Sequence, residues 1–169
     1  MNCFISGHRE LPPEQIHKII NLTGEQILRV CERGVRDYYA GGAVGFDMVA
    51  SLLILKVKRD YYKHIRLHII LPYPDYGRKQ WITELERANY ENIIDGADSV
   101  QSTSPSFFNG VFLTRNRQLV DNGSDIGIVY ADSKHTSGGT WSTIRYAQSF
   151  GAEIINIRER INGVFETPI

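Results

Sequence analysis

Short apolar runs alternate along the chain with longer segments in which apolar residues recur every three or four positions. Such runs predict strands buried in a sheet, and the longer spacing predicts helices that bury one face. The clearest run covers residues 65–71, is rich in branched apolar side chains and stops at Pro72. The runs predict six strands, near residues 2–6, 36–40, 65–71, 99–101, 125–130 and 153–157.

The segments between these strands predict five helices, at residues 12–34, 46–59, from the loop at 72–81 to about 94, 103–121 and 140–150. Gly24 is a position where the first helix can break, because glycine costs up to about 1 kcal/mol relative to alanine inside a helix. The helix at 103–121 is expected to start at 103–106, where a cap candidate is followed by proline. We expect the tail beyond Arg160 to be loosely held.

Strands that alternate with helices in this way favour right-handed crossovers and a sheet covered on both faces. We therefore predict a Rossmann-like, doubly wound α/β fold with a mainly parallel sheet of about six strands. The pattern contains no linker, repeat or low-complexity segment, so one domain over residues 1–169 is expected. Ligands of such sheets bind beyond the carboxyl ends of the strands, and the glycine, serine, aspartate, histidine and arginine residues concentrate in those loops.

The 19 basic and 19 acidic residues of this 169-residue chain give a formal net charge of zero. That balance disfavours broad attraction to nucleic acid or to an anionic membrane. Cys3 and Cys31 show no metal-binding or redox spacing, so buried free thiols and a cytoplasmic location are predicted. No signal peptide is apparent at the first residues, and no run approaches the roughly 20 apolar residues of a membrane span.

Two glycine-rich segments each lead from a strand into a helix. The first glycine turn, residues 41–45, contains Gly41, Gly42 and Gly45 and is followed by Asp47. The second glycine turn comprises Ser137, Gly138, Gly139 and Thr140. Glycine lets a backbone approach phosphate closely, and a helix N-terminus favours an anion. Neither turn is a GxGxxG fingerprint or a Walker A loop, so ordinary dinucleotide and ATPase motifs are not indicated.

Charged residues in these loops are further binding candidates. Gly7, His8 and Arg9 follow the first strand, where a cation can pair with phosphate or carboxylate. Asp47 and Asp132 follow strand ends and can accept ribose hydroxyls or cap the following turn.

Arg115 belongs to an apolar stripe with Phe108, Phe112 and Leu119, and a buried guanidinium needs an anion. Asp121, Asp125 or a ligand phosphate can meet that need.

The loop at 72–81 mixes aromatic and cationic side chains. Tyr73 and its neighbours can stack a base and hold its phosphate, or can form a lid or an oligomer contact. The histidines show no metal-ligand spacing, so neither a metal nor another cofactor is predicted.

Five separated motifs resemble one known family. They are Ile5-Ser6-Gly7-His8-Arg9, the segment from Gly41 to Asp47, Leu71-Pro72-Tyr73-Pro74, Arg115-Asn116 with Val120-Asp121, and Ser137-Gly138-Gly139-Thr140. Together they resemble the YpsA-like family of the SLOG superfamily, whose relatives include DprA and LOG proteins. The resemblance implies a domain that binds a nucleotide or nucleotide-derived ligand, such as an ADP-ribose-like molecule, with the glycine turns on phosphate.

One departure bears on activity. The second glycine turn of the LOG hydrolases runs Pro-Gly-Gly-x-Gly-Thr-x-x-Glu, and its glutamate takes part in breaking an N-glycosidic bond. Here the third glycine is missing, and Arg145 rather than a glutamate ends the corresponding segment. The resemblance therefore does not carry that reaction to this chain.

The leading hypothesis is a nucleotide-derivative binding protein that acts as a sensor or regulator. A second is hydrolysis of an N-glycosidic or phosphoester bond with Asp47, Asp132 or Glu84 as base. Binding of single-stranded DNA through residues 78–81, which include Arg78, Lys79 and Trp81, is a third and disfavoured one. A homodimer is also predicted, because the aromatic residues at 107–112 can face a partner subunit.

Overall fold

The computed structural model describes residues 1–81 and 83–163, which form six strands, seven α-helices and one short 3₁₀ turn at Pro13–Gln15. The strands are β1 Asn2–Gly7, β2 Asp37–Ala40, β3 Arg66–Leu71, β4 Ser99–Ser102, β5 Ile126–Tyr130 and β6 Glu153–Asn156. The helices are α1 Ile16–Glu32, α2 Phe46–Asp60, α3 Tyr76–Gln80, α4 Glu84–Gly96, α5 Val111–Asn122, α6 Gly139–Ser149 and α7 Ile157–Ile161.

The six strands form one sheet in the order β4-β3-β2-β1-β5-β6, and each pairing among the described residues is parallel. From β1 the chain steps outward to β4, then crosses back and adds β5 and β6 on the other side. The direction of winding thus reverses between β1 and β5, where Gly7 pairs with Tyr130. Such a reversal leaves a crevice at the carboxyl edge of the sheet. The predicted Rossmann-like α/β fold is confirmed.

Successive residues of β1 point to opposite faces of the sheet and supply two separate cores. Cys3 and Ile5 belong to the larger core, which also holds residues of α1, α2 and α7. Phe4 belongs to the smaller core, with residues of α5 and α6. Helices therefore cover both faces, as the doubly wound prediction requires. Both cysteines are buried free thiols, as the sequence predicted.

The prediction that a helix starts at 103–106 is wrong, because α5 begins at Val111. The backbone N–H of Thr103 donates to the carbonyl oxygen of Leu71 at 2.8 Å, and that of Ser104 donates to Pro72 at 3.1 Å. These bonds prolong the pairing of β3 with β4 and remove the N–H groups from any helix. Phe108 consequently lies outside the helix and is 43% exposed, so it does not share the buried stripe of Arg115.

Other boundaries differ in smaller ways. The first helix does not break at Gly24, where an added Cβ would lie 3.8 Å from a methyl of Leu53 on α2. The 3₁₀ turn, α3 and α7 were not predicted; α7 includes Arg160, and residues 164–169 of the predicted loose tail lie outside the described residues. Among the helices of the described segments, none combines the length and apolar character needed to cross a membrane.

Candidate functional site

A cavity of about 420 Å³ opens at the carboxyl end of β1, beside the point where the winding of the sheet reverses. The first glycine turn, α5 and the N-terminus of α6 form its walls. It is lined by Ile5, Ser6, Gly7, His8, Arg9, Glu10, Ala43, Asp47, Phe112, Arg115, Asn116, Leu119, Gly139 and Thr140. The tertiary structure thus brings together residues from four of the five motifs.

Protein groups accept from three of the five backbone N–H groups of the first glycine turn. The N–H groups of Gly41 and Ala43 donate to Oδ2 of Asp47 at 2.8 and 3.2 Å. Gln80 accepts from the N–H of Val44 at 2.9 Å and donates to the carbonyl oxygen of Gly42 at 2.6 Å. A carboxylate of the chain therefore holds the position that the sequence analysis assigned to a ligand phosphate.

Close packing explains why this turn needs glycine. A Cβ at Gly41 would lie 2.6 Å from Nη1 of Arg115, and one at Gly42 would lie 2.6 Å from a methyl of Leu71. Gly45 has a φ of +85°, and its Cβ would lie 2.3 Å from the carbonyl oxygen of Arg9. The three glycines thus let the turn pack against its neighbours, whether or not a ligand approaches.

Asp47 is the most deeply placed acid of the cavity, with an exposed fraction of 5%. Burial raises the pKa of its carboxyl, against the opposing charge of Arg115 and the two backbone donors. Its second oxygen, Oδ1, is buried and has no hydrogen-bond partner among the described residues. Asp47 is therefore a wall residue with one oxygen committed to the fold and one free.

Arg115 lies under the first glycine turn and is 6% exposed. Its Nη1 donates to the carbonyl oxygens of Gly41 and Ile70, and its Nε donates to Oδ1 of Asn116 at 2.9 Å. The nearby charge that acts on Asp47 comes mainly from this guanidinium. Backbone carbonyl oxygens and the nearby Asp47 thus compensate the positive charge of buried Arg115.

The two acids that were predicted as protein partners of Arg115 lie elsewhere. Asp121 accepts a hydrogen bond from the hydroxyl of Tyr146 at 2.8 Å. Asp125 accepts from the N–H of Asn2 at 2.7 Å. The predicted pairing of either acid with Arg115 is therefore wrong. Asp125 binds at the amino-terminal end of β1, and Asp121 binds a side chain of α6.

His8 joins the two sides of the cavity. Its carbonyl oxygen accepts from the N–H of Phe46 at 3.1 Å, and its Nε2 accepts from the N–H of Asp132 at 2.9 Å. Burial, and then the charge of Arg158, lower the pKa of the imidazole. Because Nε2 acts as an acceptor, the neutral ring carries its proton on Nδ1.

Arg9 follows His8 and is exposed on the cavity wall. Its Nη2 donates to the hydroxyl of Tyr76 at 2.6 Å, and its guanidinium carbon lies 5.7 Å from the centre of that ring. In both contacts the partner of Arg9 is the neutral phenol of Tyr76 and not a carboxylate. The cation is thus held in place at the mouth of the cavity.

The second glycine turn differs from the first because no carboxylate of the described residues folds back on it. Gly138 has a φ of +92° and precedes α6, whose first residues Gly139 and Thr140 line the cavity. The first N–H groups of a helix have no intrahelical acceptor, and in the described part of the chain no protein group accepts from those of Gly139 and Thr140. Ser137 and Gly138 are exposed and lie outside the cavity lining.

Asp132 and Tyr73 are predicted site residues that do not line the cavity. Asp132 accepts from the N–H of Lys134 at 3.0 Å and pairs with Arg158 at 3.2 Å, and these groups lower its pKa. Tyr73 is buried edge-to-face against Phe112 and other rings.

The residues of the alternative hypotheses also lie outside the cavity. Glu84 is exposed on α4. Arg78 and Lys79 are exposed, and Trp81 is half-buried beside Tyr90 with ring centres 5.3 Å apart. None of these side chains lines the cavity.

Gln80 and Glu10 are residues that the sequence reasoning missed. Glu10 lines the cavity directly after Arg9, so its position in the chain was an available signal. Gln80 holds the first glycine turn across 36 and 38 positions of sequence, and no local pattern indicates that contact. Residues 1–81 and 83–163 contain no cluster of three or more histidine, cysteine or acidic side chains suited to a metal ion.

The fold and the cavity place this protein among Rossmann-like α/β proteins with a cavity at the reversal point of a parallel sheet. The chain belongs to the YpsA family, described as the YspA SLOG family, which it matches over residues 7–156. Membership of this family points to a nucleotide-related binding or processing role.

Individual relatives agree with this placement. The chain is 29% identical over 112 residues to UPF0398 protein BH1768 of Halalkalibacterium halodurans. The aligned segment covers 65% of this chain and 58% of the relative. It is 25% identical over 114 residues to UPF0398 protein BBR47_29830 of Brevibacillus brevis, covering 66% and 59%. The chain thus spans less than two thirds of the length of these curated relatives.

A solved structure, that of TM1055, matches with a TM-score of 0.55 and 16% sequence identity. The match covers 98% of this chain and 82% of the other. At that identity the likeness bears on the fold alone.

Proposed function

We propose that the protein binds a nucleotide or nucleotide-derived ligand, of the ADP-ribose-like kind, in the cavity at the carboxyl end of β1. The observation that carries the proposal is the free N-terminus of α6, whose residues Gly139 and Thr140 face a cavity that Arg9 also lines. Unpaired N–H groups, the helix dipole and an arginine together favour a phosphate group. Membership of the family supports a nucleotide-related ligand.

Each wall has a distinct part in this proposal. The phosphate lies against Gly139, Thr140 and Arg9. Gly7 also lines the cavity, and its missing side chain leaves room for Phe46, which lies 2.6 Å from where a Cβ would be. The half-buried ring of Phe112 offers an apolar surface for a base. The first glycine turn supports the wall rather than binding phosphate, since the N–H groups of Gly41, Ala43 and Val44 already donate to Asp47 and Gln80.

The size of the cavity suits a ligand of this class. Pockets for small molecules typically measure about 300–1,000 Å³, and this cavity of about 420 Å³ falls at the lower part of that range. A mononucleotide portion therefore fits inside, and a longer ligand extends past its mouth. This supports a ligand of nucleotide size and does not favour a polymer.

Isothermal titration calorimetry with AMP, ADP, ADP-ribose and NAD tests the proposal. At least one of them should bind, and Gly139→Trp should weaken that binding by at least about tenfold. Residue 139 has ordinary helical geometry, and a side chain there points toward Asn116, with 3.6 Å between an added Cβ and Nδ2. The tryptophan thus fills the cavity without straining the backbone.

Thr136→Trp is the matched control, because Thr136 is exposed in the same loop and does not line the cavity. It should bind like the wild type, and thermal unfolding should show that both variants are folded. No binding across the panel, or equal loss in both variants, would contradict the proposal.

Hydrolysis of the bound nucleotide is a second candidate, favoured by the position of Asp47 in the cavity wall. Asp132 and Glu84 do not line the cavity, so Asp47 is the remaining acid of the three predicted for this role. Chromatography after prolonged incubation with the same panel separates the candidates. Released base or phosphate supports turnover, whereas intact nucleotide supports binding alone and a role as sensor or regulator.

The homodimer, the cytoplasmic location and the absence of nucleic-acid binding stay predictions. Phe107 and Phe108 are 57% and 43% exposed and Leu113 is 42% exposed, so an apolar patch borders the start of α5. Light scattering on the wild type and on Phe107→Ser tests the dimer. A monomeric wild type would contradict it.

A further inference from the structure

The two oxygens of Asp47 are in different situations. Oδ2 accepts both N–H groups that the first glycine turn directs at it, from Gly41 and Ala43. Oδ1 is buried and has no hydrogen-bond partner among the described residues, although the residue lines the cavity. A buried carboxylate oxygen without a donor is costly, so this one calls for a group that the fold itself does not supply.

The neighbouring guanidinium of Arg115 donates to other acceptors through Nη1 and Nε. Nη1 of Arg115 donates to the carbonyl oxygens of Gly41 and Ile70, and Nε donates to Asn116. The guanidinium therefore acts on Asp47 through its charge, and no hydrogen bond joins it to Oδ1. Asp47 also lines the cavity, so a bound ligand is the candidate source of the donor that the described residues do not supply.

We infer that Asp47 is a specificity-determining residue whose free Oδ1 accepts a hydrogen bond from a ribose hydroxyl of the ligand. The inference rests on the proposed function and deepens it, because it names the sugar: ribonucleotides are selected over their deoxyribose counterparts. A site whose buried polar group is built to pair with a substrate hydroxyl rejects the analogue that lacks it, since the buried group is then left unpaired.

Asp132, the other acid that the sequence nominated for ribose, lacks a comparable free oxygen. Its Oδ1 accepts from the N–H of Lys134, and its Oδ2 pairs with Arg158. It also lies outside the cavity lining. The geometry therefore separates two acids that the sequence treated alike.

The test compares AMP, ADP or ADP-ribose, whichever binds, with its 2′-deoxy and 3′-deoxy counterparts by calorimetry. The wild type should bind the deoxy compound that lacks the recognised hydroxyl about 10- to 100-fold more weakly, as expected for one hydrogen bond to a charged group. Equal affinity for all three sugars would overturn the inference.

Asp47→Asn sharpens the test because the amide has the same shape. Its oxygen can keep the N–H groups of Gly41 and Ala43, which places the amide NH₂, a donor, where Oδ1 was. A ribose hydroxyl can accept as well as donate, so the amide can still bind it, but only as a neutral group. Discrimination between ribose and deoxyribose should therefore fall by about three- to tenfold. A variant that folds and keeps the wild-type ratio would also overturn the inference.

Asp132→Asn is the matched comparison and should keep the wild-type ratio; loss of discrimination in this variant, with Asp47→Asn unaffected, would assign the sugar to the other acid. The outcomes separate the two proposals. If no nucleotide binds, the proposed function fails and the inference fails with it. If a ribonucleotide binds, and Gly139→Trp abolishes that binding, but the sugar makes no difference, the inference alone fails.

Discussion

The two glycine turns are similar in sequence, but they differ in whether protein groups accept from their backbone N–H groups. Each pairs adjacent glycines, follows a strand and leads into a helix. In the first, Asp47 and Gln80 accept from the N–H groups of Gly41, Ala43 and Val44. In the second, Gly139 and Thr140 line the cavity, and no described protein group accepts from their N–H groups. Protein groups therefore use most of the N–H groups of the first turn, whereas the second is open to a ligand at the start of α6.

The difference arises from the first turn of the helix that each segment enters. Helix α2 carries Asp47 there, and its carboxylate folds back onto the preceding loop. Helix α6 has no acidic residue in its first turn. An internal carboxylate competes with an external anion for the same donors, so glycine content alone does not identify a phosphate site.

Exchange of glycine for alanine should separate the two turns most strongly. Gly45→Ala should lower the free energy of unfolding by about 4 to 5 kcal/mol, because φ is positive and the new Cβ would meet the carbonyl oxygen of Arg9. Gly139→Ala should change it by no more than about 0.5 kcal/mol, since the nearest atom lies at 3.6 Å. Urea denaturation measures both. Equal losses would mean that the second turn is packed as tightly as the first.

Removal of the internal carboxylate should have the next largest effect. Asp47→Ala leaves the N–H groups of Gly41 and Ala43 buried without an acceptor and should lower the free energy of unfolding by about 2 to 3 kcal/mol. Asp47→Asn keeps an acceptor and should lose less than about 1 kcal/mol. The same denaturation experiment applies. A negligible loss in the alanine variant would show that the first turn does not depend on its aspartate.

Acidification should have the smallest effect on stability. It should act through His8, which accepts a hydrogen bond from Asp132 in the loop that leads to the second glycine turn. The folded state favours neutral His8, whose pKa is lowered by burial and by Arg158, with the charge of Asp132 opposing and Tyr130 packed against the ring. Its contribution to stability is therefore complete above the ordinary histidine pKa near 6.5 and is lost as the pH falls through the lower folded value. Protonation of Nε2 also removes the hydrogen bond from the N–H of Asp132.

Amide hydrogen exchange measures this effect, after correction for the intrinsic pH dependence of exchange. Protection of the Asp132 amide should fall at acidic pH, while that of Gly41 should not change. In His8→Gln, which retains an acceptor and does not titrate, protection at Asp132 should be independent of pH. Loss of protection at both amides would indicate a general acid transition instead.

Local patterns were enough to predict much of the fold. All six strands and the α/β alternation follow from residues that are close together in sequence, because buried strands and one-sided helices each impose a short period. The family resemblance came from five motifs that are separated along the chain. The prediction of where α5 starts was wrong for a physical reason. Thr103 and Ser104 favour a helix cap locally, but hydrogen bonds to Leu71 and Pro72 from a distant strand use their N–H groups.

For the candidate site too, the local sequence predicted some features and the tertiary structure decided others. The sequence alone selected Gly139, Thr140, Arg9 and Asp47 as residues suited to a nucleotide, because their chemistry is intrinsic to the side chain or to glycine. The tertiary structure decided which donors stay free. Gln80 reaches the first glycine turn from 36 positions away, and the buried surroundings of Asp47 give its two oxygens different partners. Hydrogen-bond groups pair with whatever the fold brings near, and that proximity is a property of the folded chain.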